Sequence, residues 1–179
     1  MDYQAIIEFW FLELKPAQWW KKDHEFDSKI KQRFESIYLD AARGKLTHWR
    51  TEPQGRLAEI IALDQFPRNM YRDTPEAFAS DELAVKRTLE AIESNATQHL
   101  DGPYLAFLLM PLMHSELLSM QRLSVKWFTK PGLEANRGFA IAHHDIIERF
   151  GRFPHRNAIL GRRSTQEELE FLQQPGSSF

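Results

Sequence analysis

Apolar residues recur at helical spacing along this chain, and that periodicity most constrains its fold. Over residues 24–43 they fall mostly three or four positions apart, on one face of a helix: Phe26, Ile30, Phe34, Ile37, Tyr38 and Ala41. A second stripe follows Thr74-Pro75-Glu76, a sequence typical of a helix start: Phe78, Val85, Leu89 and Ile92. No segment alternates with the period of two expected of a strand. The sequence therefore predicts an all-α protein.

Proline and glycine residues between the periodic segments set the expected bounds of the helices. We expect helices at 2–14, 24–43, 54–66, 75–95, 103–128, 133–150 and 165–173, and a short helical turn at 155–161. Thr165 and Glu168 form a predicted capping box for the last helix. Because the connections are short, neighbouring helices should pack antiparallel, as a bundle or a short array of seven to eight helices. We expect one domain over 1–174 and a loose tail at 175–179.

Composition excludes several classes of function. The 179 residues include no cysteine, which removes disulfides, thiol catalysis and thiolate metal sites. A net charge of −2 gives no general attraction to nucleic acids or anionic membranes, so neither is an expected partner. The longest apolar run, Tyr104 to Met113, is far shorter than the roughly 20 residues of a membrane-spanning helix. Residues 2–8 lack the basic segment of a signal peptide, so we expect a cytoplasmic protein.

The segment 149–163, RFGRFPHRNAILGRR, combines charge with apolar character. It holds five arginines and one histidine but no acid, beside aromatic and aliphatic residues that favour burial. Its order of Phe-Pro, Arg-Asn, Arg and a threonine before a helix also occurs in the earlier segment 66–74. We interpret this recurrence as one physical arrangement used twice. The segment should insert between helices rather than form a basic surface.

Charged and polar residues interrupt the predicted apolar stripes. Asp64 continues the stripe of the third helix, Glu116 lies on that of the fifth, and His143 on that of the sixth. His114 flanks the fifth-helix stripe. An unpaired buried charge is very costly, so the two acids require partners, and arginine can supply paired hydrogen bonds. The candidate partners are Arg68, Arg152 and Arg156.

These residues are compatible with a buried stabilising network or with a binding site. In the binding hypothesis, arginine heads and the backbone donors of a helix starting near Pro154 hold a small anion, such as phosphate or a peptide carboxylate. The expected ligand-binding residues are Arg68, His114, His143, Arg152, His155, Arg156 and Asn157, with Asp64 and Glu116 as buried charge partners. The alternative is a structural interaction protein in which the charged cluster only stabilises the fold.

An enzyme of hydrolase type, with Glu116 or His114 as acid or base, is a further alternative. No Gly-x-Ser-x-Gly motif surrounds Ser115, which therefore lacks the context of an acyl-transfer nucleophile. His114, Glu116 and His143 lack the spacing of common zinc motifs, and no glycine-rich phosphate loop occurs. We therefore expect no metal and no cofactor. The sequence does not define the catalytic residues, the substrate or the oligomeric state.

Three motifs resemble those of a bacterial family known as domain of unknown function 924. They are LDQFPRNMYR at 63–72, MPLMHSE at 110–116 and RFGRFPHRN at 149–157, supported by FWF at 9–11 and LGRRST at 160–165. The resemblance implies an all-α, tetratricopeptide-like fold and no particular activity. The chain lacks the signature and 34-residue period of ordinary tetratricopeptide repeats, so peptide binding would rest on architecture alone.

Overall fold

The structure, a computed structural model, describes residues 2–179 and confirms the all-α prediction. Within this range it has eight α-helices and no strand: α1 Gln4–Glu8, α2 His24–Ala42, α3 Pro53–Met70, α4 Asp81–Glu93, α5 Gly102–His114, α6 Leu118–Phe128, α7 Glu134–Phe150 and α8 Gln166–Phe171. A π-helical turn, Phe9–Glu13, extends α1. Short 3₁₀ helices lie in the connections between the other helices: Pro16–Trp20, Thr47–Thr51, Pro75–Phe78, Ala96–His99 and Pro154–Arg156. None of the helices in 2–179 is long and apolar enough to cross a bilayer.

Helix α3 lies at the centre of the molecule. It contacts α1, α2, α4 and α5, and 14 of its 18 residues are buried. A helix covered on all sides buries its polar residues too, and each of them needs a hydrogen-bond partner. The buried polar side chains of α3 are Glu59, Asp64, Gln65 and Asn69. The candidate site is built on the second of these.

The apolar core has a large part around α3 and a small part beneath α7. In the large part, Trp10 packs edge-on against Phe66 and Phe107, with ring centroids 5.8 and 5.5 Å away. The small part contains Ile146, Ile147 and Phe153, with Phe171 of α8 packed against it. The segment 149–163 supplies Phe153 to this cluster and is therefore inserted, as predicted.

Helix α3 runs four residues beyond its expected end at 66, through Pro67 to Met70. Proline has no N–H, so it leaves the carbonyl four residues earlier, that of Leu63, without its helical donor. Ser80 Oγ donates to this carbonyl at 2.6 Å. A side chain from the next helical segment thus replaces the lost hydrogen bond and lets the helix continue. The extension brings Arg68 over Asp64.

The expected helix at 103–128 is two helices, because the chain turns at residues 115–117. Ser115 has extended backbone angles. The fully buried Gln121 donates to the carbonyls of Met113 and Ser115 at 2.7 and 2.6 Å. These bonds satisfy carbonyls that the ended helix leaves free. The break leaves His114 at the carboxyl end of α5.

Other helix ends also differ from the predictions. The helix expected at 75–95 begins as a 3₁₀ turn, and α4 starts only at Asp81. Thr74 does not cap it, since its hydroxyl donates to the Tyr71 carbonyl at 2.9 Å. The helical turn expected at 155–161 shortens to the 3₁₀ turn Pro154–Arg156. A 3₁₀ turn of three residues is too short to supply the helix N-terminus that the binding hypothesis places near Pro154.

Both ends of the α8 region are ordered by local hydrogen bonds. The predicted capping box is confirmed: Thr165 Oγ1 accepts from Glu168 N at 3.1 Å, and Glu168 Oε2 accepts from Thr165 N at 2.7 Å. Segment 175–179, expected to be loose, folds back. Ser177 is buried and donates to the Leu172 carbonyl at 3.2 Å, and Phe179 contacts α7.

Candidate functional site

Asp64 of α3 and His114 at the end of α5 form the centre of the candidate site. Asp64 Oδ1 lies 2.7 Å from His114 Nδ1. Gln65 Nε2 donates to Asp64 Oδ2 at 2.6 Å, and Arg68 Nη1 lies 3.3 Å from Oδ1. Burial opposes ionisation of Asp64, but the charges and hydrogen bonds of these neighbours outweigh it and lower its pKa. Asp64 is therefore an ionised acceptor in the interior.

His114 is the accessible partner in this pair. Burial lowers its pKa below the ordinary value, so the imidazole is neutral at pH 7. We assign its proton to Nδ1, because the carboxylate of Asp64 can only accept. Nε2 then carries a lone pair, and it makes no hydrogen bond to any residue in 2–179. The side chain keeps 16% of its surface exposed, so this lone pair can reach solvent.

His143 of α7 is a second neutral histidine at the site. Its ring centroid lies 6.2 Å from that of His114. Its Nδ1–H donates to the Phe139 carbonyl at 2.7 Å, which again leaves the lone pair on Nε2. Burial lowers the pKa of His143 to about 3. Burial also lowers the pKa of His155 to about 4, and its buried Nδ1 has no partner among residues 2–179.

Arg68 and Arg156 flank the histidines and share Asp81, the first residue of α4. Each guanidinium donates to Asp81 Oδ2 at 3.0 Å. Arg156 is 6% exposed and also donates to the His114 carbonyl at 3.0 Å. Burial lowers the pKa of Arg156 to about 10, so it stays charged at neutral pH. Its guanidinium lies 4.5 Å from the centroid of the Phe78 ring.

Glu116 does not pair with any of the arginines predicted for it. Its partner is Arg162, which donates from Nη1 to Oε2 at 2.7 Å and from Nη2 to Oε1 at 2.9 Å. The Phe153 amide donates to Oε1 at 2.7 Å. Burial opposes ionisation of Glu116, but the hydrogen bonds of Arg162 and Phe153 lower its pKa. Glu116 is therefore engaged as an anchor for segment 149–163, not poised as an acid or base.

Arg152 pairs with Glu168 of α8, not with Asp64 or Glu116 as predicted. Nε and Nη2 of Arg152 donate to the two carboxylate oxygens at 2.6 and 2.8 Å. Asn157 Nδ2 lies 3.3 Å from Glu168 Oε2. This cluster, centred on the buried Glu168, fastens segment 149–163 to α8. It lies on elements other than those that carry Asp64 and His114.

The structure thus divides the predicted site residues into two groups. Five of them share direct contacts around the Asp64–His114 pair: Asp64, Arg68, His114, His143 and Arg156. His155 borders this group through aromatic contacts with Phe153 and Phe179. The others belong to the pairs that hold segment 149–163: Glu116, Arg152 and Asn157.

Sequence reasoning missed several participants: Gln65, Asp81, Arg162, Glu168 and Phe179. Asp81 looks like an ordinary acid in the first turn of a helix, and only the tertiary fold brings two arginines to it. Glu168 was identified as a capping residue, and this role hid its second function as an ion-pair partner. Of the described residues, the one cluster with converging metal-ligand atoms is His144, Asp145 and Glu148, which is largely exposed and separate from the site.

Fold and site together define an all-helical protein with a buried aspartate–histidine pair bordered by arginine–carboxylate pairs. The chain belongs to the family described as bacterial proteins of unknown function, DUF924, whose profile matches residues 6–176. It is similar to the solved structure of a protein of unknown function, ATU0120 from Agrobacterium tumefaciens. The two are 36% identical, with a TM-score of 0.87 over 96% of each chain. A comparison with curated proteins gives no match.

Proposed function

We propose that the protein is an enzyme in which His114 acts as a general base and Asp64 orients it. The observation that carries the proposal is the 2.7 Å hydrogen bond between His114 Nδ1 and the buried Asp64 carboxylate. This bond fixes the tautomer and leaves the Nε2 lone pair, which makes no hydrogen bond to residues 2–179, available to accept a proton. Neutral histidines with a carboxylate on the other ring nitrogen are common proton acceptors in catalysis.

Hydrolysis is the reaction class that this chain's side chains favour, with water as the nucleophile. Ser115 is next to the base, but its Oγ accepts from the Leu117 amide at 3.2 Å and serves the helix break. Within residues 2–179, no hydroxyl group is hydrogen-bonded to His114. His114 Nε2 would take a proton from water as the water oxygen attacks a carbonyl carbon. The protonated imidazole then returns that proton to the departing oxygen as the carbon–oxygen bond breaks.

The anion-binding hypothesis has less support than the base. Four arginines of the region pair with four carboxylates, so the cluster offers little uncompensated positive charge: Arg68, Arg152, Arg156 and Arg162 with Asp64, Asp81, Glu116 and Glu168. An anion would have to displace these carboxylates. We therefore assign the arginines to positioning the site and the unbonded histidine nitrogen to its chemistry.

Hydrolysis of 4-nitrophenyl acetate tests the proposal. We expect the wild type to exceed the buffer rate, and His114→Gln to lower kcat/KM by about 10²–10⁴, the usual contribution of a general base. Asp64→Asn should lower kcat and flatten or shift the acid limb of its pH profile, because the amide no longer favours the productive tautomer. The acid limb of the wild type should lie below pH 6.5, because burial lowers the pKa of His114.

His99→Gln is the matched control, since His99 is exposed and makes no side-chain hydrogen bond to a site residue. It should retain the wild-type rate. A folded His114→Gln variant with unchanged kcat/KM would overturn the proposal, whatever the effect of Asp64→Asn.

A further inference from the structure

The side chain of Phe179 lies against the imidazole of His143, the histidine that neighbours the proposed base. The two ring centroids are 3.6 Å apart and the ring planes differ by 18°, so the rings stack. The same phenyl ring meets His155 edge-on, with centroids 5.9 Å apart and planes at 79°. An aromatic group of the chain itself therefore lies between two neutral histidines of the site.

The walls that receive Phe179 are fixed by the fold. The Phe139 carbonyl holds His143 through Nδ1, and Phe153 packs edge-on against the same imidazole at 5.6 Å and 82°. Phe153 is fully buried, and the Arg156 guanidinium lies 4.6 Å from its centroid. None of these contacts depends on Phe179. The space that the Phe179 ring fills, called the slot below, would therefore keep its aromatic walls if Phe179 moved away.

Phe179 is held much less firmly than the walls. In segment 175–179, all of it described, the one hydrogen bond is from Ser177 to the Leu172 carbonyl. Ser178 is exposed, and Phe179 keeps 48% of its surface exposed. Its departure would break no helix and leave no buried polar group unpaired. A half-exposed ring in a segment held by one hydrogen bond is a group that another ring can displace.

We infer that the slot between His143 and His155, the two rings that contact Phe179, binds a planar aromatic group of the ligand, with Phe179 as a competing group from the same chain. The inference rests on the proposed function, because it names the class of compound that the same site takes. It assigns esters of aromatic alcohols or of arylmethyl alcohols as the substrate class.

Ring geometry favours an aromatic group over an aliphatic one. The slot offers one face for stacking and one edge for a T-shaped contact, the two arrangements that aromatic pairs prefer. Because His143 is neutral at pH 7, the stack joins two uncharged aromatic rings and is not a cation–π contact. The centroid of His114 is 6.2 Å from that of His143, so the slot and the proposed base adjoin the same imidazole.

Benzyl alcohol is a suitable probe, because it contains the ring but no hydrolysable bond. Binding is followed by NMR through the histidine ring protons, in the full chain and in Phe179→Ala. We expect Phe179→Ala to bind benzyl alcohol at least about tenfold more tightly, since an occupied slot lowers apparent affinity by the fraction that is open. The His143 ring protons should also move downfield when the stacked phenyl ring is removed.

Three comparisons make the result specific. Ser178→Ala, a change at the exposed neighbour, should bind like the wild type. Cyclohexylmethanol, which lacks a flat face, should gain much less from Phe179→Ala. Phe179→Leu, which keeps an apolar side chain without an aromatic ring, should give an intermediate affinity, and it serves if the alanine variant does not fold. Equal affinity of wild type and both Phe179 variants, or no perturbation of His143, would overturn the inference.

The outcome separates this inference from the proposed function. If benzyl alcohol binds as expected but His114→Gln hydrolyses esters like the wild type, the slot stands and the base does not. If hydrolysis depends on His114 but the Phe179 variants bind no ring more tightly, only the slot is wrong.

Discussion

Arg68 and Arg156 donate to the same oxygen, Oδ2 of Asp81, each at 3.0 Å. They occupy equivalent places in the two Phe-Pro segments of the sequence. The asparagines that follow them are also equivalent: Asn69 donates to Asp27 at 2.9 Å, and Asn157 lies 3.3 Å from Glu168. Each of these carboxylates also binds an arginine through two hydrogen bonds, Asp27 with Arg72 and Glu168 with Arg152. The recurrence therefore extends to the Arg-Asn pairs, but the second arginine differs: Arg72 follows its Asn69 in the sequence, whereas Arg152 precedes Phe153.

Asp81→Ala should strongly destabilise the protein, because it leaves Arg68 and Arg156 facing each other without a shared counter-ion. Removing one partner of a buried ion pair costs about 3–5 kcal/mol. Urea unfolding measures the loss. Glu93→Ala, a change at an exposed acid of the same helix with no ion pair among residues 2–179, should cost less than about 0.5 kcal/mol. Equal effects of the two variants would contradict the structural importance of the shared carboxylate.

The sequence predicts elements well where local chemistry decides them. Helical periodicity predicts α2 and α7 to within about a residue, and the capping box places the start of α8. Prediction of helix bounds from the sequence fails where a side chain from another segment replaces a backbone hydrogen bond. Ser80 lets α3 pass Pro67, and Gln121 stabilises the break that divides the expected helix at 103–128.

The same distinction applies to the candidate site. That Asp64 and Glu116 need partners follows from their places on apolar stripes. Arg68, one of the candidate partners, does contact Asp64, because the two lie four residues apart on one helix. Pairings between helices depend on side-chain reach in three dimensions. The partners of Glu116 and Arg152 were therefore predicted wrongly.

Arg152→Ala should destabilise far more than Arg149→Ala. Both arginines pair with glutamates of α8, but Glu168 is buried, whereas Arg149 and Glu167 are 49% and 60% exposed. Exposed pairs contribute little to stability, whereas removal of the arginine from a carboxylate inside the fold is costly. Thermal unfolding of the two variants makes the comparison. Similar melting temperatures would mean that the Arg152–Glu168 pair does not fasten segment 149–163.

Gly55→Ala should destabilise the protein even though glycine is usually the poorer helix former. A Cβ at Gly55 would overlap the Trp49 carbonyl oxygen, so α3 would have to shift away from the preceding turn. Overpacking of this kind typically costs about 1–3 kcal/mol. Gly138→Ala in α7 is the control, because its Cβ meets open space and should stabilise by about 0.5–1 kcal/mol. Urea unfolding of both variants should therefore give changes of opposite sign.

Stability should fall as the pH is lowered from 7.5 to 5.0, and His143 should account for a measurable part of the loss. Burial lowers its pKa to about 3, whereas an unfolded histidine titrates near 6.5, so the unfolded chain binds more protons between these values. The contribution is complete above pH 6.5 and is lost progressively as pH falls towards 3.

Replacement of His143 tests this directly. At pH 5.0 the loss for His143→Gln should be about 1–2 kcal/mol smaller than for the wild type, since one pKa unit corresponds to about 1.4 kcal/mol. His99→Gln, at an exposed position, should keep the wild-type slope. Measurements stop at pH 5.0 because carboxylates such as Glu168, whose pKa the Arg152 hydrogen bond lowers to about 2, add to the loss below pH 4.5. A wild-type slope in His143→Gln would mean that His143 is not a buried neutral group.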